Sequence, residues 1–169
     1  INKKDDWKVD VFYMDFKNFF QWQPDANGRP LVRVNGGKFR NVGIEAEYGR
    51  RLSDRLKWNV SGSYSNPRQK EMNENYWKQA APKLQFTTGI RYESPTWEAG
   101  TSFSFVTKRL RNRDGGLNPN IALWNAYVGY HFNKDATLRL DARNLLDRHN
   151  VITNGDYEYW GDPFTYELS

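Results

Sequence analysis

Strict alternation of apolar and charged side chains is the feature that most narrows what this chain can become. In "TLRLDAR", residues 137–143, Leu138, Leu140 and Ala142 fall on one side while Arg139, Asp141 and Arg143 fall on the other. A period of two means an extended strand with two unlike faces. The apolar face has to leave water, and two environments are open to it. A soluble sheet would set the leucines in a protein core. A membrane barrel would set them in lipid and leave the charges in a wet lumen.

The same period recurs along the chain, and helical periodicity is hard to find. About eight alternating segments are expected, near 7–16, 39–50, 56–65, 83–93, 97–107, 121–132, 137–145 and 164–169. Most hold about ten residues, the length with which a tilted strand crosses a bilayer. Their connections alternate in length. Long "NFFQWQPDANGRPLVRVNGGK" is followed by short "RLSDR", and long "NPRQKEMNENYWKQAAP" by short "SPT". Long "KRLRNRDGGLNPN" is followed by short "NKDA", and the last link, "DRHNVITNGDYEYWGDP", is long again. Outer-membrane barrels alternate extended extracellular loops with tight periplasmic turns. A β-sandwich has no reason to keep that order.

Face composition chooses between core and lipid. One face reads Val42, Ile44, Ala46, Tyr48, then Trp58, Val60, Gly62, Tyr64, and continues uncharged through the next three segments. The other holds Glu45, Glu47, Lys57, Arg91, Glu93, Glu98 and His131. A Lys or Arg at mid-membrane costs about 2–4 kcal/mol, so full exclusion of charge from one face is what lipid would impose. Tyr48, Trp58, Tyr92, Trp97, Tyr130 and Phe132 lie beside the short links, and Tyr64, Phe86, Phe105 and Trp124 beside the long ones. Smaller residues fill the space between. Two aromatic girdles around an aliphatic band suit the two membrane interfaces, whereas a sandwich core would gather its rings at mid-strand. The leucines of "TLRLDAR" are expected to meet lipid.

Composition agrees once it is read this way. The chain has 169 residues and is only 38% hydrophobic, yet 16% aromatic. Disordered chains lack such aromatic content. No stretch approaches the roughly 18 apolar residues of a membrane helix, a test that barrel strands escape. Cysteine is absent, which excludes disulfides and thiolate metal sites within these residues. A net charge of +5 is modest and dispersed, so no nucleic-acid partner is expected. The chain opens at Ile1 with neither Met nor a leader, and is expected to be an excerpt or mature portion.

"LRLDARNLLDRHN", followed by a loop and "GDPFTYELS", resembles the C-terminal end of TonB-dependent outer-membrane receptors. Their penultimate strand ends in an Asn-Leu-Phe-Asp pattern, matched by Asn144, Leu145, Leu146 and Asp147, and their last strand opens after Gly-x-Pro, matched by Gly161 and Pro163. "NVGIEAEYGRRLSDRLKWNVSGSYS" is similar to a mid-barrel hairpin of the family, with Gly43 and Glu45 in its Gly-x-Glu position. Leu146 stands where Phe is usual, and Phe164 where Arg is common. The resemblance implies an all-β, antiparallel transmembrane β-barrel, of which residues 1–169 would be about the last eight of 22 strands. It implies that the plug domain lies outside this sequence and that a few residues follow Ser169. It also implies an outer-membrane transport receptor of a diderm bacterium for a scarce nutrient, an iron chelate (siderophore) above all. The implied partners are outer-membrane lipid and lipopolysaccharide, the receptor's own plug and remaining strands, the TonB complex and a small-molecule ligand.

Few residues carry chemistry of their own. Glu45 and Glu47 share a face as an acid–base pair would, but on a lumen wall they are expected to be lining carboxylates paired with basic neighbours. His131 and His149 are the only histidines and lie in no ligand cluster, so no metal site and no cofactor is expected. No nucleophile motif appears, and no enzyme is expected. The "NVS" sequon at Asn59 falls within a strand. The long connections say more. Trp22, Tyr76, Trp77, Tyr157, Tyr159 and Trp160 supply rings for stacking on a ligand. Arg109, Arg111 and Arg113 suit an anionic chelate or lipopolysaccharide phosphates. A self-contained eight-stranded barrel serving as an adhesin or structural protein, and a soluble sugar-binding or glycosidase β-domain, are the competing classes.

Overall fold

The computed structural model of the chain describes residues 4–23, 32–107, 116–154 and 157–169, with backbone alone at 21–23, 32, 153 and 154. Its regular elements are strands: β1 (Asp5–Gln23), β2 (Val32–Arg51), β3 (Leu56–Ser65), β4 (Arg68–Lys70), β5 (Lys78–Gln79) and β6 (Leu84–Glu93). β7 (Trp97–Val106), β8 (Ile121–His131), β9 (Thr137–Arg143), β10 (Val151–Asn154), β11 (Tyr157–Trp160) and β12 (Thr165–Leu168) follow. Eight of them form one antiparallel meander in the order β12-β9-β8-β7-β6-β3-β2-β1. β4 and β5 extend the sheet beside the first half of β2, and β10 and β11 make a separate hairpin.

Register fixes the faces. One row across the sheet reads Val9, Ala46, Gly62, Phe86, Phe105, Ala122; the next, on the opposite face, reads Lys8, Glu47, Ser61, Thr87, Ser104, Leu123. Among the described residues, most of the apolar side is left uncovered. Trp7 is 71% exposed and Val11 76%, and Ala122 is the only buried hydrophobic residue among those described. A water-soluble protein rarely leaves so large an apolar surface bare. The uncharged face expected from the sequence is therefore an exposed one, and no second sheet covers it among the described residues.

Polar groups on that face are satisfied locally. Thr88 donates to the Asn59 carbonyl at 2.9 Å and Thr101 to that of Asn125 at 3.0 Å. Each hydroxyl also accepts an indole N–H, from Trp58 at 2.9 Å and Trp124 at 2.6 Å. Rings cluster near the short links: Tyr48 lies edge-on to Trp58 at 5.5 Å, and Tyr130 to Trp97 at 4.8 Å and Phe132 at 4.9 Å. Charges bound the band. Asp5 pairs with Arg50 at 3.5 Å and accepts the Tyr48 hydroxyl at one end; Asp15 pairs with Arg40 at 3.4 Å at the other. These rows are ten residues apart on β1. At about 3.4 Å per residue and a tilt near 40–45°, that makes an apolar band about 25 Å tall. Tilt also shows as stagger: β2 runs one residue past the Arg50–Trp58–Ile90–Thr101–Ala126 row, β6 three and β8 five.

The short links at 52–55, 94–96 and 132–136 all close at the same end, through Leu52 N to Leu56 O, Ser94 N to Trp97 O and Phe132 N to Ala136 O bonds of 2.8–3.0 Å. The long connections differ from expectation. Most of "NFFQWQPDANGRPLVRVNGGK" is ladder, paired out to Gln23 and Val32, with two register shifts, one at Asn18, whose φ is 59°, and one at Gly36 on the partner strand. β-prone Phe19, Phe20, Trp22, Val32 and Val34 sustain it where Gly and Asn suggested a loop. The short strands β4, β5, β10 and β11 are likewise unforeseen. β9 ends at Arg143 rather than Leu145, because Asn144 turns left-handed at φ 52°.

Candidate functional site

The long connections rise from one end of the sheet, and the last of them is tied down at its base. Asn144 is 2% exposed. Its amide nitrogen donates to the carbonyls of Arg148 and Asp162, each at 3.0 Å, and its side-chain oxygen accepts from Arg148 N at 3.2 Å. Its own N–H reaches the side chain of Asn125 on β8 at 2.9 Å. Asp147, also left-handed at φ 47°, accepts from Phe164 N at 2.9 Å just before β12 begins. Asn150 mimics a strand, accepting from Ala122 N and donating to Ala122 O, both at 3.2 Å. Asn and Asp tolerate the left-handed region because their short side chains bond locally. These residues are a clamp, and Asn125 and Asn150 were not singled out by sequence.

Beyond the clamp, β10 and β11 carry three of the expected rings. Tyr157, Tyr159 and Trp160 are 79%, 52% and 67% exposed. Strand alternation sets Tyr157 and Tyr159 on one face, about 7 Å apart, and Trp160 on the other, where it meets His149 edge-on at 5.8 Å. The β4–β5 connection carries Tyr76 and Trp77. The Lys78 ammonium stands 5.5 Å from the Tyr76 ring, and the Arg40 guanidinium 5.0 Å from that of Trp77. Lys78 also bonds Glu74 and approaches Glu71 at 3.7 Å. The hydrogen bond from Lys78 holds the Glu74 carboxyl below the ordinary glutamate range, and the same bond raises the Lys78 ammonium. Trp22 lies in β1 opposite Arg33, its side chain outside the described residues, as are Arg109, Arg111 and Arg113 altogether. The two described aromatic groups stand toward opposite ends of the strand order and are not brought together.

The inner face below is polar and largely paired. Arg139 grips Asp141 through two bonds of 2.7 and 2.9 Å, reaches Glu98 at 3.0 Å and lies 3.9 Å over the Tyr127 ring. Gly100 makes room for that ring, since a Cβ there would stand 2.6 Å from it. Lys57 and Arg91 share Glu93 at 3.5 and 2.5 Å. Glu45 and Glu47 depart from expectation: Lys8, opposite Glu47, bonds Asp10 on its own strand at 2.7 Å, and neither glutamate has an ion-pair partner among the described residues. His131 shares a 2.8 Å hydrogen bond with Thr137. The wall is charged, and most of its described charges are paired.

Comparison with known proteins matches this geometry. A family model described as TonB dependent receptor-like, beta-barrel, matches residues 2–145. The ferric citrate transporter FecA in its unliganded form superposes with a TM-score of 0.79 at 21% identity, over 99% of this chain and 28% of its own. BauA, the ferric preacinetobactin receptor from Acinetobacter baumannii, gives 0.78 at 18%, over 99% and 27%. The copper transporter OprC gives 0.74 at 16%, over 98% and 28%. At such identities the likeness is one of fold, and the chain spans under a third of each of these proteins. No curated protein sequence matches it.

Proposed function

The chain belongs to the TonB-dependent receptor β-barrel family, and from that premise we propose that residues 1–169 form the C-terminal wall of an outer-membrane import receptor whose plug lies outside this sequence. The receptor captures a scarce nutrient, an iron chelate by preference, at its long connections and imports it with energy relayed through TonB. No covalent chemistry is involved. Binding and release rest on stacking, ion pairing and rearrangement of the plug against the inner face.

One observation carries this reading: exposed rings, with cations beside those of the β4–β5 connection, gather on the long connections at one end of a sheet whose other end is closed by tight turns. Tyr157 and Tyr159 offer a flat, two-ring surface, while Trp77 is backed by Arg40. Arg109, Arg111 and Arg113 would add forks for an anionic chelate. FecA and BauA are named for ferric cargo and OprC for copper, so iron is favoured and the chelate is left open.

The test replaces Trp77, Trp160 and Arg111 by Ala, separately, in the full-length receptor and measures uptake at limiting ligand. Lost stacking or an Arg fork costs on the order of 1–2 kcal/mol when desolvated, or roughly tenfold in affinity. At least one variant should take up ligand more weakly while still assembling. Undiminished uptake in all three would place capture on other loops or the plug and leave this segment a wall.

A further inference from the structure

Where β2 shifts register, a side chain from the β4–β5 connection comes down on it. Phe19 pairs with Gly37 and Phe20 with Asn35, so Gly36 between them has no partner on β1. The side chain of Met72, early in the connection, occupies the space above that glycine. A Cβ added at Gly36 would stand 2.6 Å from Met72 Sδ, 3.0 Å from its Cγ and 3.3 Å from its Cβ. Glycine leaves the room, and the thioether fills it. From this contact the chain turns through a Glu74 N to Glu71 O bond of 3.1 Å and runs on to Tyr76 and Trp77. Met72 is also 58% exposed, so an oxidant in solution can reach its sulfur. The other methionine, Met14, lies within the β1–β2 ladder opposite Asn41.

A thioether held against backbone and open to water makes an apolar contact only while it stays reduced. We propose that Met72 is an oxidation site, and that its conversion to the sulfoxide by a peroxide frees the β4–β5 connection from β2. The sulfur lone pair attacks one oxygen of hydrogen peroxide; an S–O bond forms and the O–O bond breaks. The hydroxide that leaves takes the proton of the transferred oxygen and departs as water. Sulfur gives up two electrons and the peroxide gains them. The product is polar and one oxygen larger. Hydration of the new dipole favours rotamers that lift the sulfur off Gly36, and the apolar contact is given up. The Lys78–Glu74 pair and the Arg40–Trp77 contact hold the later part of the connection and contain no sulfur, so its near end is the part that comes loose. The site itself stands on the Met72–Gly36 contact; its effect on ligand capture rests on the function proposed above.

The test uses the full-length receptor, spin-labelled at Asn75→Cys and exposed to hydrogen peroxide beside free methionine as a reference thioether. Peptide mass mapping should place one added oxygen on Met72. The immobilised component of the label's spectrum should be lost in step with it. Met72→Leu keeps an apolar contact of similar volume and has no sulfur to oxidise, so its label should stay immobilised through the same treatment. Met72→Gln sets a polar amide in the same place and should show the loosened spectrum before any peroxide is added. Met72 left unoxidised once free methionine has reacted overturns the proposal. So does an oxidised receptor whose label stays immobilised, or a Met72→Leu label that loosens as the parent's does. Uptake at limiting ligand, measured alongside, separates the two readings: a label that loosens while uptake is unchanged upholds the site and removes Tyr76 and Trp77 from capture.

Discussion

Asn144 does two things that no other residue type does together: it holds a left-handed turn at φ 52° and serves three backbone groups from one buried amide. Asn144→Gly keeps the turn and loses the bonds, whereas Asn144→Ala loses the bonds and strains the turn. Stranding buried carbonyls costs about 1–3 kcal/mol. Proteolysis within 145–163 of the assembled receptor should therefore quicken in both variants, and more in the alanine. Parent-like resistance in both would dissolve the clamp. A second residue-scale expectation comes from Glu74 and Lys78. Glu74 is held below its ordinary range by Lys78, so the order it lends its connection is present above the ordinary glutamate pKa and fades as pH falls through the lowered value. Lys78, raised by the same bond, loses its share only as pH rises through the lysine range. A spin label at Asn75→Cys should be constrained at neutral pH and loosen on acidification; with Glu74→Gln added, its mobility should not change over that interval.

At the scale of elements, the strands were legible because lipid is a uniform solvent. It applies the same test to every outward residue, so period two survives without the exceptions that a packed core introduces. β8 shows the consequence: Ala126 points outward between Thr101 and Ala142, while Ser102 on β7 points inward between Gly89 and Asn125. Ala126→Arg should impair assembly into vesicles, at about 2–4 kcal/mol, and Ser102→Arg should not. Equal yields would contradict the faces. Beyond the band that contrast vanishes, and so did the reading. In the upper parts of β1 and β2, and in β4, charged and aromatic residues are mixed on the strands, as in the Phe16–Phe39 contact beside the Asp15–Arg40 pair, so period two no longer separates two faces. Asn125 and Asn150 escaped for a related reason: a capping amide is recognised by what it reaches, and Ala122 is 28 residues from Asn150.

For the whole molecule, antiparallel order makes topology an all-or-none property. If the long connections are outside, an epitope after Asn75 labels on intact cells and one at Pro95 labels only after permeabilisation. Labelling at Pro95 without permeabilisation would invert every strand at once. The candidate site was legible as residue types and not as a place, since Tyr76 and Trp77 stand far along the sheet from Tyr157 and Trp160 and nothing in their spacing joins them. The clamp below the last connection has one more consequence. Asn144, Asp147 and Asn150 fasten both feet of that connection to β8 and to the start of β12, so strain arising farther out is not passed down to the strands. Residues between 151 and 160 can be exchanged, added or removed while the wall keeps its register. A lineage could rebuild the tip of this connection without having to solve the barrel again.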